Sequence, residues 1–378
     1  MVAKPLTIVQ MLPDLVTGGV EKVTLEIAEF MVQKGHSSIV ISNGGLMVEE
    51  LLQKGSEHIC LPIGSKSPKS LLCIPALRKI LIKEKVDILQ LSSRVPAWVG
   101  LMAAKSISPK KRPGIVTTFH GFYSVNAYSA VMTKGDKVIA VSKPIKQHIK
   151  EKYRVPGKHV ITINQGFDKE QFDPSLVKKD RVSALIKKWN LEKKERPFII
   201  LPGRFSPLKG HKLFLSALEK IKGLSWTAIF VGNENENLKY TEMLKQEASQ
   251  KGLGQRVVFA GLCKDMPAAF KLCDLTVSAS VYPESFGKIA VESQAMETPV
   301  IATAIGGSLE TIIPGRTGWL FSPTDLDEFA AVLTEAVLNQ EKRKYMGKKA
   351  RKWVENNFTT ELMCQKTLKV YRELLCNL

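Results

Sequence analysis

Long hydrophobic runs are missing from this 378-residue sequence. No apolar stretch reaches the roughly 18 to 20 residues that a membrane-spanning helix requires. The first apolar segment, LTIVQML, also lacks the basic flank and the cleavage site of a secretory signal peptide. These absences argue against a membrane-spanning or secreted protein, and we predict a cytoplasmic one. Peripheral attachment to the inner face of the plasma membrane stays open.

Cysteine and aromatic residues are sparse, and neither occurs in a pattern typical of a specialised site. The six cysteines form no C-x-x-C pair, and no histidine cluster has metal-ligand spacing. This indicates reduced thiols and argues against structural zinc. Aromatic residues make up only 7% of the chain, and no known nucleic-acid-binding motif occurs, so we do not expect a nucleic-acid partner.

Acidic residues are few relative to basic ones. The chain has 55 Lys and Arg against 36 Asp and Glu, a net charge of +19, and residues 1–165 alone carry 23 basic and 11 acidic side chains. Such an excess favours a polyanionic partner. Because the sequence disfavours nucleic acid, we predict an anionic membrane surface as a partner. A basic surface that serves only solubility is the alternative.

The sequence does contain a regular alternation of short apolar runs and helical patterns. Such runs, separated by helices, indicate parallel strands covered on both faces of a sheet. In the first half the predicted strands are LTIVQML, HSSIVIS, VDILQLS, GIVTTFH, KVIAVS and HVITI. In the second half they are FIILPG, WTAIFVG, RVVFAG, LTVSAS and PVIATA.

The length of the chain exceeds what one ordinary core accommodates and suits two domains. We predict an α/β fold with two Rossmann-like, doubly wound domains that face a central cleft. The first domain spans residues 1–168 and the second 169–378. The polar stretch from Asp173 to Arg196 is predicted to be a linker with one helix. The last roughly 20 residues are expected to form a helix that packs back on the first domain.

Ligands of such folds bind outside the carboxyl ends of the strands, so the loops there carry the candidate residues. Gly18 and Gly19 follow the first strand and precede a helix, where backbone amides can approach an anion. A tight turn without a ligand is the structural alternative. The loop is neither a Walker motif nor G-x-G-x-x-G, which argues against an ATP hydrolase or a dehydrogenase.

Two cations stand in the equivalent loop of the second half, within GRFSPLKG. Arg204 can bind phosphate oxygens with two parallel hydrogen bonds, and Lys209 can add a point charge. Together they suit a pyrophosphate. Two solvated side chains in a surface loop are the alternative interpretation.

The stretch ESFGKIAVES places two carboxylates eight positions apart around a predicted helix start. We predict Ser285 as the N-cap and Gly287 in the first turn, with Glu292 about two turns inside. The amides of Ser285, Phe286 and Gly287 could then meet a phosphate or sugar oxygen. Glu284 could accept hydrogen bonds from a hexose and Glu292 from a ribose diol. A partly exposed helix glutamate is the alternative for Glu292.

One D-x-D triplet, Asp325 to Asp327, has the appearance of a metal motif. It lies at the start of a predicted helix, where Thr324 or Asp325 can cap the first turn and both acids suit the helix dipole. We therefore predict a helix cap here and no metal site.

The segment ESFGKIAVE resembles the E-x(7)-E signature of the retaining glycosyltransferases of family 4 (group 1), which have GT-B architecture. The chain looks most like the members that build the lipopolysaccharide core. Further family motifs occur in the family's order and cover nearly the whole chain. They are TGGVEK, TFHG, VSKPIK, INQGFD, GRFSPLKG and GGSLETIIPGRTGWLF.

The resemblance implies a donor site that binds the diphosphate of a nucleotide sugar. By that resemblance Arg204 and Lys209 bind the diphosphate, Gly18 and Gly19 approach it, and Glu292 holds the ribose.

The same resemblance implies catalytic roles for His120 and Glu284. Glu284 would contact the donor sugar, with Ser285, Phe286 and Gly287 close by, and His120 would reach the sugar near its reacting carbon. A structural loop histidine is the alternative for His120. The nucleobase would lie near Gly261 and Leu262. INQGFD departs from the commoner asparagine-glycine pairing, so no contact is carried over to Gln165.

The implied reaction is the transfer of a hexose with retention of configuration and without a metal or another cofactor. A UDP-sugar is favoured over a GDP- or ADP-sugar as the donor. The implied acceptor is a saccharide or a lipid-linked one, in lipopolysaccharide, capsule or glycolipid biosynthesis. Two basic segments, KSPKSLLCIPALRKILIKEK and SPKKRPG with Lys110, Lys111 and Arg112, are candidates for membrane contact. For the first segment we favour the alternative, a helix that packs its apolar face on the sheet and keeps its lysines in solvent.

Two other interpretations stay open. One is a sugar-nucleotide epimerase of the same architecture, which would need no acceptor. The other is a non-catalytic basic protein that binds a membrane or nucleic acid, which would leave the ordered motifs unexplained.

Overall fold

The computed structural model describes residues 4–16, 18–65 and 67–376, and these form thirteen strands in two sheets. The first sheet contains β1 (Thr7–Met11), β2 (Ser37–Ser42), β3 (Glu57–Cys60), β4 (Ile88–Leu91), β5 (Gly114–Phe119), β6 (Lys137–Ala140) and β7 (Val160–Thr162). The second contains β8 (Phe198–Pro202), β9 (Thr227–Val231), β10 (Val257–Phe259), β11 (Leu275–Ser278), β12 (Val300–Thr303) and β13 (Gly318–Phe321).

Helices connect most of the strands; β5 and β6 are joined by a loop with a single 3-10 turn, Ser129–Thr133. The first five are α1 (Gly19–Gln33), α2 (Val48–Gln53), α3 (Ile74–Lys83), α4 (Arg94–Lys105) and α5 (Lys143–Lys152). They are followed by α6 (Lys179–Lys188), α7 (His211–Lys220), α8 (Leu238–Gln250), α9 (Met266–Leu272), α10 (Lys288–Ala295) and α11 (Ser308–Thr311). The last three are α12 (Leu326–Leu338), α13 (Gln340–Asn357) and α14 (Thr360–Cys376). None of these helices is long and apolar enough to cross a membrane.

Every strand pair in both sheets is parallel, which confirms the predicted doubly wound α/β fold. The strand order is β3-β2-β1-β4-β5-β6-β7 in the first sheet and β10-β9-β8-β11-β12-β13 in the second. The order therefore reverses between β1 and β4 in one sheet and between β8 and β11 in the other. Loops that diverge at such a switch point leave a crevice at the carboxyl ends of the strands.

Two edge strands, β3 and β13, are absent from the predicted set. Both residues at the ends of β3 are exposed, so its sequence carries little apolar signal. In β13, Gly318 lies so close to β12 that a Cβ atom would meet the carbonyl oxygen of Val300 at 2.3 Å. Close packing therefore requires a glycine at this position, and the glycine interrupts the apolar pattern by which a strand is recognised in the sequence.

Backbone contacts divide the chain into two compact units, each with its own core. The first unit runs to Gln165 and includes the chain from Thr360 onward, and the second is Gly166–Thr359. In the first core, apolar side chains of α1 and α14 pack on the sheet; they include Ile27, Met31, Leu368 and Tyr371. In the second, α7 and α12 contribute Phe214, Leu218, Phe329 and Leu333. Burial of each such side chain contributes roughly 1.5 to 3 kcal/mol.

The segment predicted as a linker is instead packed within the second unit. Its helix α6 carries Arg181, whose guanidinium donates to both carboxylate oxygens of Asp265 at 2.8 and 2.6 Å. The Lys271 ammonium donates to the carbonyl oxygens of Pro174 and Val177. The predicted helix is present, but these contacts fix its position.

Candidate functional site

A lysine and a glutamate meet at the switch point of the second sheet. Lys209 ends the turn that follows β8, and Glu284 lies in the loop that follows β11. The Lys209 Nζ and Glu284 Oε1 atoms are 2.6 Å apart, and the two side chains are only 23% and 17% exposed. Because β8 and β11 are neighbours, the topology brings together two residues that are 75 positions apart in the sequence.

The Glu284 carboxylate is held in its charged form. Burial opposes the charge, but attraction to Lys209 and hydrogen bonds from Lys209 and Ser280 outweigh it and lower the pKa of Glu284. The Ser280 hydroxyl donates to Oε1 at 2.5 Å. Ser280 has no signal in the sequence, since only the fold shows that its hydroxyl faces the carboxylate.

Glycines allow the backbones of the surrounding loops to come into close contact. Gly210 adopts a left-handed conformation (φ +71°), and a Cβ atom there would lie 1.8 Å from the carbonyl oxygen of Ala279. Gly306 (φ +60°) also packs closely on the Glu284 loop, where a Cβ atom would lie 2.4 Å from the Glu284 carbonyl oxygen. The amide of Gly307 donates to that same oxygen at 2.8 Å. These glycines fix the backbone that carries Lys209 and Glu284.

The helix after Glu284 begins later than predicted. Gly287, not Ser285, is the N-cap of α10, and it takes a left-handed conformation (φ +89°) that glycine adopts without steric cost. Ser285 therefore lies in the loop, next to the buried Phe286, whose ring packs on Phe358 at 5.5 Å. With α10 starting at Lys288, the half-buried Glu292 lies about one turn inside rather than two.

Arg204 lies just beyond β8, in the same loop as Lys209. Its side chain is exposed and makes no ion pair within the part of the chain that the structure describes. Beneath it, the buried Phe205 ring stacks on His211, with ring centroids 5.1 Å apart. A fixed backbone thus presents an available guanidinium at the carboxyl edge of the sheet.

Gly261 and Leu262 lie at the same edge but further from the switch point, because β10 is an edge strand. Gly261 has a left-handed backbone (φ +66°), and its carbonyl oxygen accepts the Gly232 amide at 3.0 Å. The Leu262 side chain is 59% exposed. The structure records no contact of this pair with Lys209 or Glu284 among the described residues.

In the first unit, Gly18 and Gly19 follow β1 at the other switch point. Gly19 is the first residue of α1, and a Cβ atom there would meet nothing within 4 Å. A ligand can therefore approach this backbone closely. Gly18 is the N-cap with an almost extended backbone (φ 159°), and a Cβ atom would collide with the Glu21 carboxylate.

His120 directly follows β5, also at the carboxyl edge of the first sheet. Both ring nitrogens are buried, and neither has a hydrogen-bond partner among residues 4–16, 18–65 and 67–376. Burial lowers the pKa of His120 to about 4. The imidazole is therefore neutral near pH 7, with one nitrogen able to donate and the other to accept a hydrogen bond.

The D-x-D triplet is a helix cap, as predicted. The Asp325 carboxylate accepts the Glu328 amide at 2.8 Å at the start of α12. Asp327 pairs with Lys220 at 2.7 Å.

Two family models match the chain, and together they cover most of it. "Glycosyltransferase Family 4" matches residues 17–171, and "Glycosyl transferases group 1" matches residues 183–353. A D-inositol 3-phosphate glycosyltransferase of Mycobacterium marinum is 30% identical over 205 residues, which cover 54% of this chain and 42% of that relative. The chain spans about half the length of several such curated relatives.

Solved structures extend the likeness to the full chain. A glycosyltransferase from Rickettsia africae ESF-5 is 33% identical, with a TM-score of 0.91 and 100% of both chains covered. The Anabaena protein HepE, solved in complex with UDP and glucose, shares the fold at 20% identity and a TM-score of 0.83 over 97% of this chain and 100% of its own. The chain therefore belongs to the glycosyltransferases that these two family models represent, family 4 and group 1, and its two parallel sheets have the GT-B architecture.

Proposed function

We propose that the chain transfers a hexose from a nucleotide-diphosphate sugar to an acceptor hydroxyl, with retention of configuration and without a metal. The observation that carries this proposal is the Lys209–Glu284 pair at the switch point of the second sheet, with Arg204 available beside it. Departure of a nucleoside diphosphate creates negative charge, and preorganised cations stabilise such charge in the transition state.

Each donor-side residue has a distinct proposed role. Arg204 and Lys209 bind the diphosphate, Glu284 accepts hydrogen bonds from hydroxyls of the transferred sugar, and Glu292 binds the ribose. Lys209 also keeps Glu284 ionised, which a purely accepting carboxylate requires. The amides around Phe286 lie close to the sugar in this proposal.

In the first unit we assign contacts with the sugar and the diphosphate. His120 contacts the transferred sugar near its reacting carbon, and its neutral imidazole suits a hydrogen bond to a hydroxyl. The unobstructed backbone of Gly19, with Gly18 before it, approaches the diphosphate.

A UDP-sugar is the donor that we favour, with its base near Gly261 and Leu262. The complexes of HepE with UDP and glucose support this choice through fold alone. For the acceptor we propose a saccharide or a lipid-linked saccharide of lipopolysaccharide, capsule or glycolipid synthesis. A galactosyltransferase of the lipopolysaccharide outer core, WaaB, shares the fold.

Peripheral attachment to the anionic inner face of the plasma membrane completes the proposal. In the first unit, Leu71 and Leu72 are 43% and 78% exposed next to the exposed Lys69. Lys110 and Lys111 are exposed as well. Exposed leucines among lysines are typical of surfaces that bind anionic lipid.

The test of donor binding is thermal stabilisation by UDP-, GDP- and ADP-sugars. We expect one of them to raise the melting temperature of the wild type. Arg204→Met and Lys209→Met should each weaken that ligand roughly ten- to a hundredfold, as expected for a lost charge-assisted hydrogen bond. The matched control is Arg316→Met, because Arg316 is also exposed but precedes β13 and so lies at the opposite edge of the sheet.

Stabilisation by no nucleotide sugar, or equal binding by wild type and both variants, would contradict the proposed donor site. Retention is tested separately by the anomeric configuration of the product in NMR spectra. An inverted product would contradict the proposed mechanism while leaving the donor site intact.

A further inference from the structure

An arginine that the donor site does not use lies at the switch point of the first sheet. Arg94 is the first residue of α4, three positions after the end of β4. Strand β4 lies between β1, which leads to Gly19, and β5, which leads to His120. The side chain of Arg94 is half-buried. Its position is thus the crevice that doubly wound folds use for ligands.

The guanidinium of Arg94 has no anionic partner in the described residues. It lies over the rings of Tyr123 and Tyr128, 5.0 and 5.3 Å from their centroids, and one nitrogen donates to the Ser129 hydroxyl at a long 3.4 Å. Other arginines of this chain find carboxylates instead. Arg112, Arg181 and Arg196 each pair with an aspartate, at 2.9, 2.6 and 2.6 Å respectively.

The aromatic frame around Arg94 is fixed by hydrogen bonds and ring packing. The Tyr123 ring packs on Phe119 at 5.2 Å, and the Tyr123 carbonyl oxygen accepts the Tyr153 hydroxyl at 3.3 Å. The Trp98 indole donates to the Tyr128 carbonyl oxygen at 3.1 Å. The guanidinium is therefore held in place before any ligand arrives, which reduces the entropy lost on binding.

We infer that Arg94 binds an anionic group, a phosphate or a carboxylate, on the saccharide acceptor of this enzyme. The inference rests on the proposed transferase function, because it names the acceptor class of that reaction. Partly buried cations are normally paired, and a guanidinium carries five N–H donors in a planar fork that matches both anions. The cation–π contacts with the two tyrosine rings partly stabilise the positive charge, and they leave the N–H donors at the edge of the guanidinium available to an anion.

Binding of simple probes tests this inference in the full chain. Glucose 6-phosphate, glucuronate and glucose present a phosphate, a carboxylate and no charge, and titration calorimetry at fixed ionic strength compares them. We expect the wild type to bind at least one charged probe tenfold or more tightly than glucose. Arg94→Met should lower the affinity for that charged probe ten- to a hundredfold and leave the affinity for glucose unchanged. The relative strength of the two charged probes identifies the anion.

Matched variants separate this role from a structural one. Arg78→Met removes an exposed arginine elsewhere in the first unit and should leave the affinity for all three probes unchanged. Arg94→Lys keeps the charge without the fork, so it should bind the charged probe with intermediate affinity. If Arg94 served only to hold the tyrosine loop, Arg94→Met would lower the melting temperature and weaken all three probes alike. That result, or no preference for a charged probe in the wild type, would overturn the inference.

Failure of the proposed function has a different signature. Arg204→Met should bind the nucleotide sugar more weakly and bind the charged probe as the wild type does. Arg94→Met should bind the charged probe more weakly and bind the nucleotide sugar as the wild type does. If the charged probe binds in an Arg94-dependent way but no nucleotide sugar binds, the anion site at Arg94 is supported and the proposed transferase function is contradicted.

Discussion

Lys209 has two roles in the proposed function, since we expect it to bind the diphosphate and it keeps Glu284 charged. In Lys209→Met the attraction that lowers the Glu284 pKa is lost, while the burial that raises it remains. Glu284 will then take up a proton at higher pH than in the wild type. We predict that the acid limb of kcat/KM against pH moves to higher pH in this variant, in addition to the weaker donor binding.

Arg204→Met is the matched control for that shift. Arg204 is exposed and forms no ion pair with a described residue, so its loss should weaken the donor without moving the acid limb. An unmoved limb in Lys209→Met would show that Glu284 does not govern the pH dependence.

Buried histidines predict a loss of stability in acid. His211 is fully buried against Phe205, Phe230 and Tyr240, and burial, with Lys209 nearby, lowers its pKa to about 4. The unfolded chain takes up this proton near pH 6.5, so the free energy of unfolding falls as the pH drops from 6.5 toward 4. At pH 5 the loss from this one residue is on the order of 2 kcal/mol.

His211→Phe should remove that part of the acid sensitivity. We expect the drop in melting temperature between pH 7.5 and pH 5 to shrink by roughly 4 to 8 °C. His159→Phe changes an exposed histidine and should leave the drop as it is. Equal drops in the wild type and His211→Phe would contradict the buried, neutral state of His211.

Sequence alone predicts those site residues that directly follow strands. Arg204, Lys209, Glu284 and His120 all lie in such loops, since the apolar runs reveal where each strand ends. Their roles stay predictions, but the structure shows that Lys209 and Glu284 meet. Ser280 is not predictable in this way because its partner is visible only in three dimensions. Arg94 also follows a predicted strand, but its lack of a carboxylate partner among the described residues is a property of the fold that the sequence does not show.

Among the elements, the loop between β12 and α11 supports the Glu284 loop by close backbone contact. We predict that Gly306→Ala lowers kcat/KM roughly a hundredfold, because a Cβ atom 2.4 Å from the Glu284 carbonyl must displace that backbone. Circular dichroism should show an intact fold.

Gly315→Ala provides a control with the same backbone strain. Gly315 is also left-handed (φ +72°), but a Cβ atom there would meet nothing within 4 Å. It should cost roughly 1 to 2 kcal/mol of stability and leave kcat/KM unchanged. Equal activity losses in the two variants would mean that strain, not contact with the Glu284 loop, explains the effect.

Periodicity predicts the interior elements better than their ends. The apolar runs identify the eleven strands from β1 to β12 other than β3. Nine of these are interior strands, which are apolar on both faces, and the edge strands β7 and β10 also carry short apolar runs. The start of α10 differs from its prediction by two residues. Ser285 is a common N-cap residue, but the left-handed Gly287 ends the loop later, and helix boundaries depend on such local geometry.

The net charge of the chain predicts affinity for anionic membranes. A net charge of +19 should attract vesicles of anionic lipid, and exposed leucines beside lysines should add to the binding. We expect cosedimentation with anionic vesicles, weak binding to neutral ones, and release at high salt because salt screens surface charges. Equal binding to both kinds of vesicle would contradict the proposed attachment.

Charge reversal locates that surface. Lys110 and Lys111 lie in the first unit, and the double variant Lys110→Glu with Lys111→Glu should bind anionic vesicles more weakly than the wild type. The same net change in α6, Lys187→Glu with Lys188→Glu, is the matched control, because both lysines are exposed in the second unit. If the two double variants lose the same affinity, net charge rather than a defined surface is responsible.

We propose that Glu284 contacts the sugar that this transferase moves. The most direct test measures nucleoside diphosphate release from UDP-, GDP- and ADP-sugars, with and without a lipopolysaccharide extract, for wild type and Glu284→Gln. We expect release from one donor, stimulation by the extract, and a roughly ten- to hundredfold loss in the variant. Release that Glu284→Gln leaves unchanged, or no release from any donor, would contradict the proposed role of Glu284 and the proposed transferase activity.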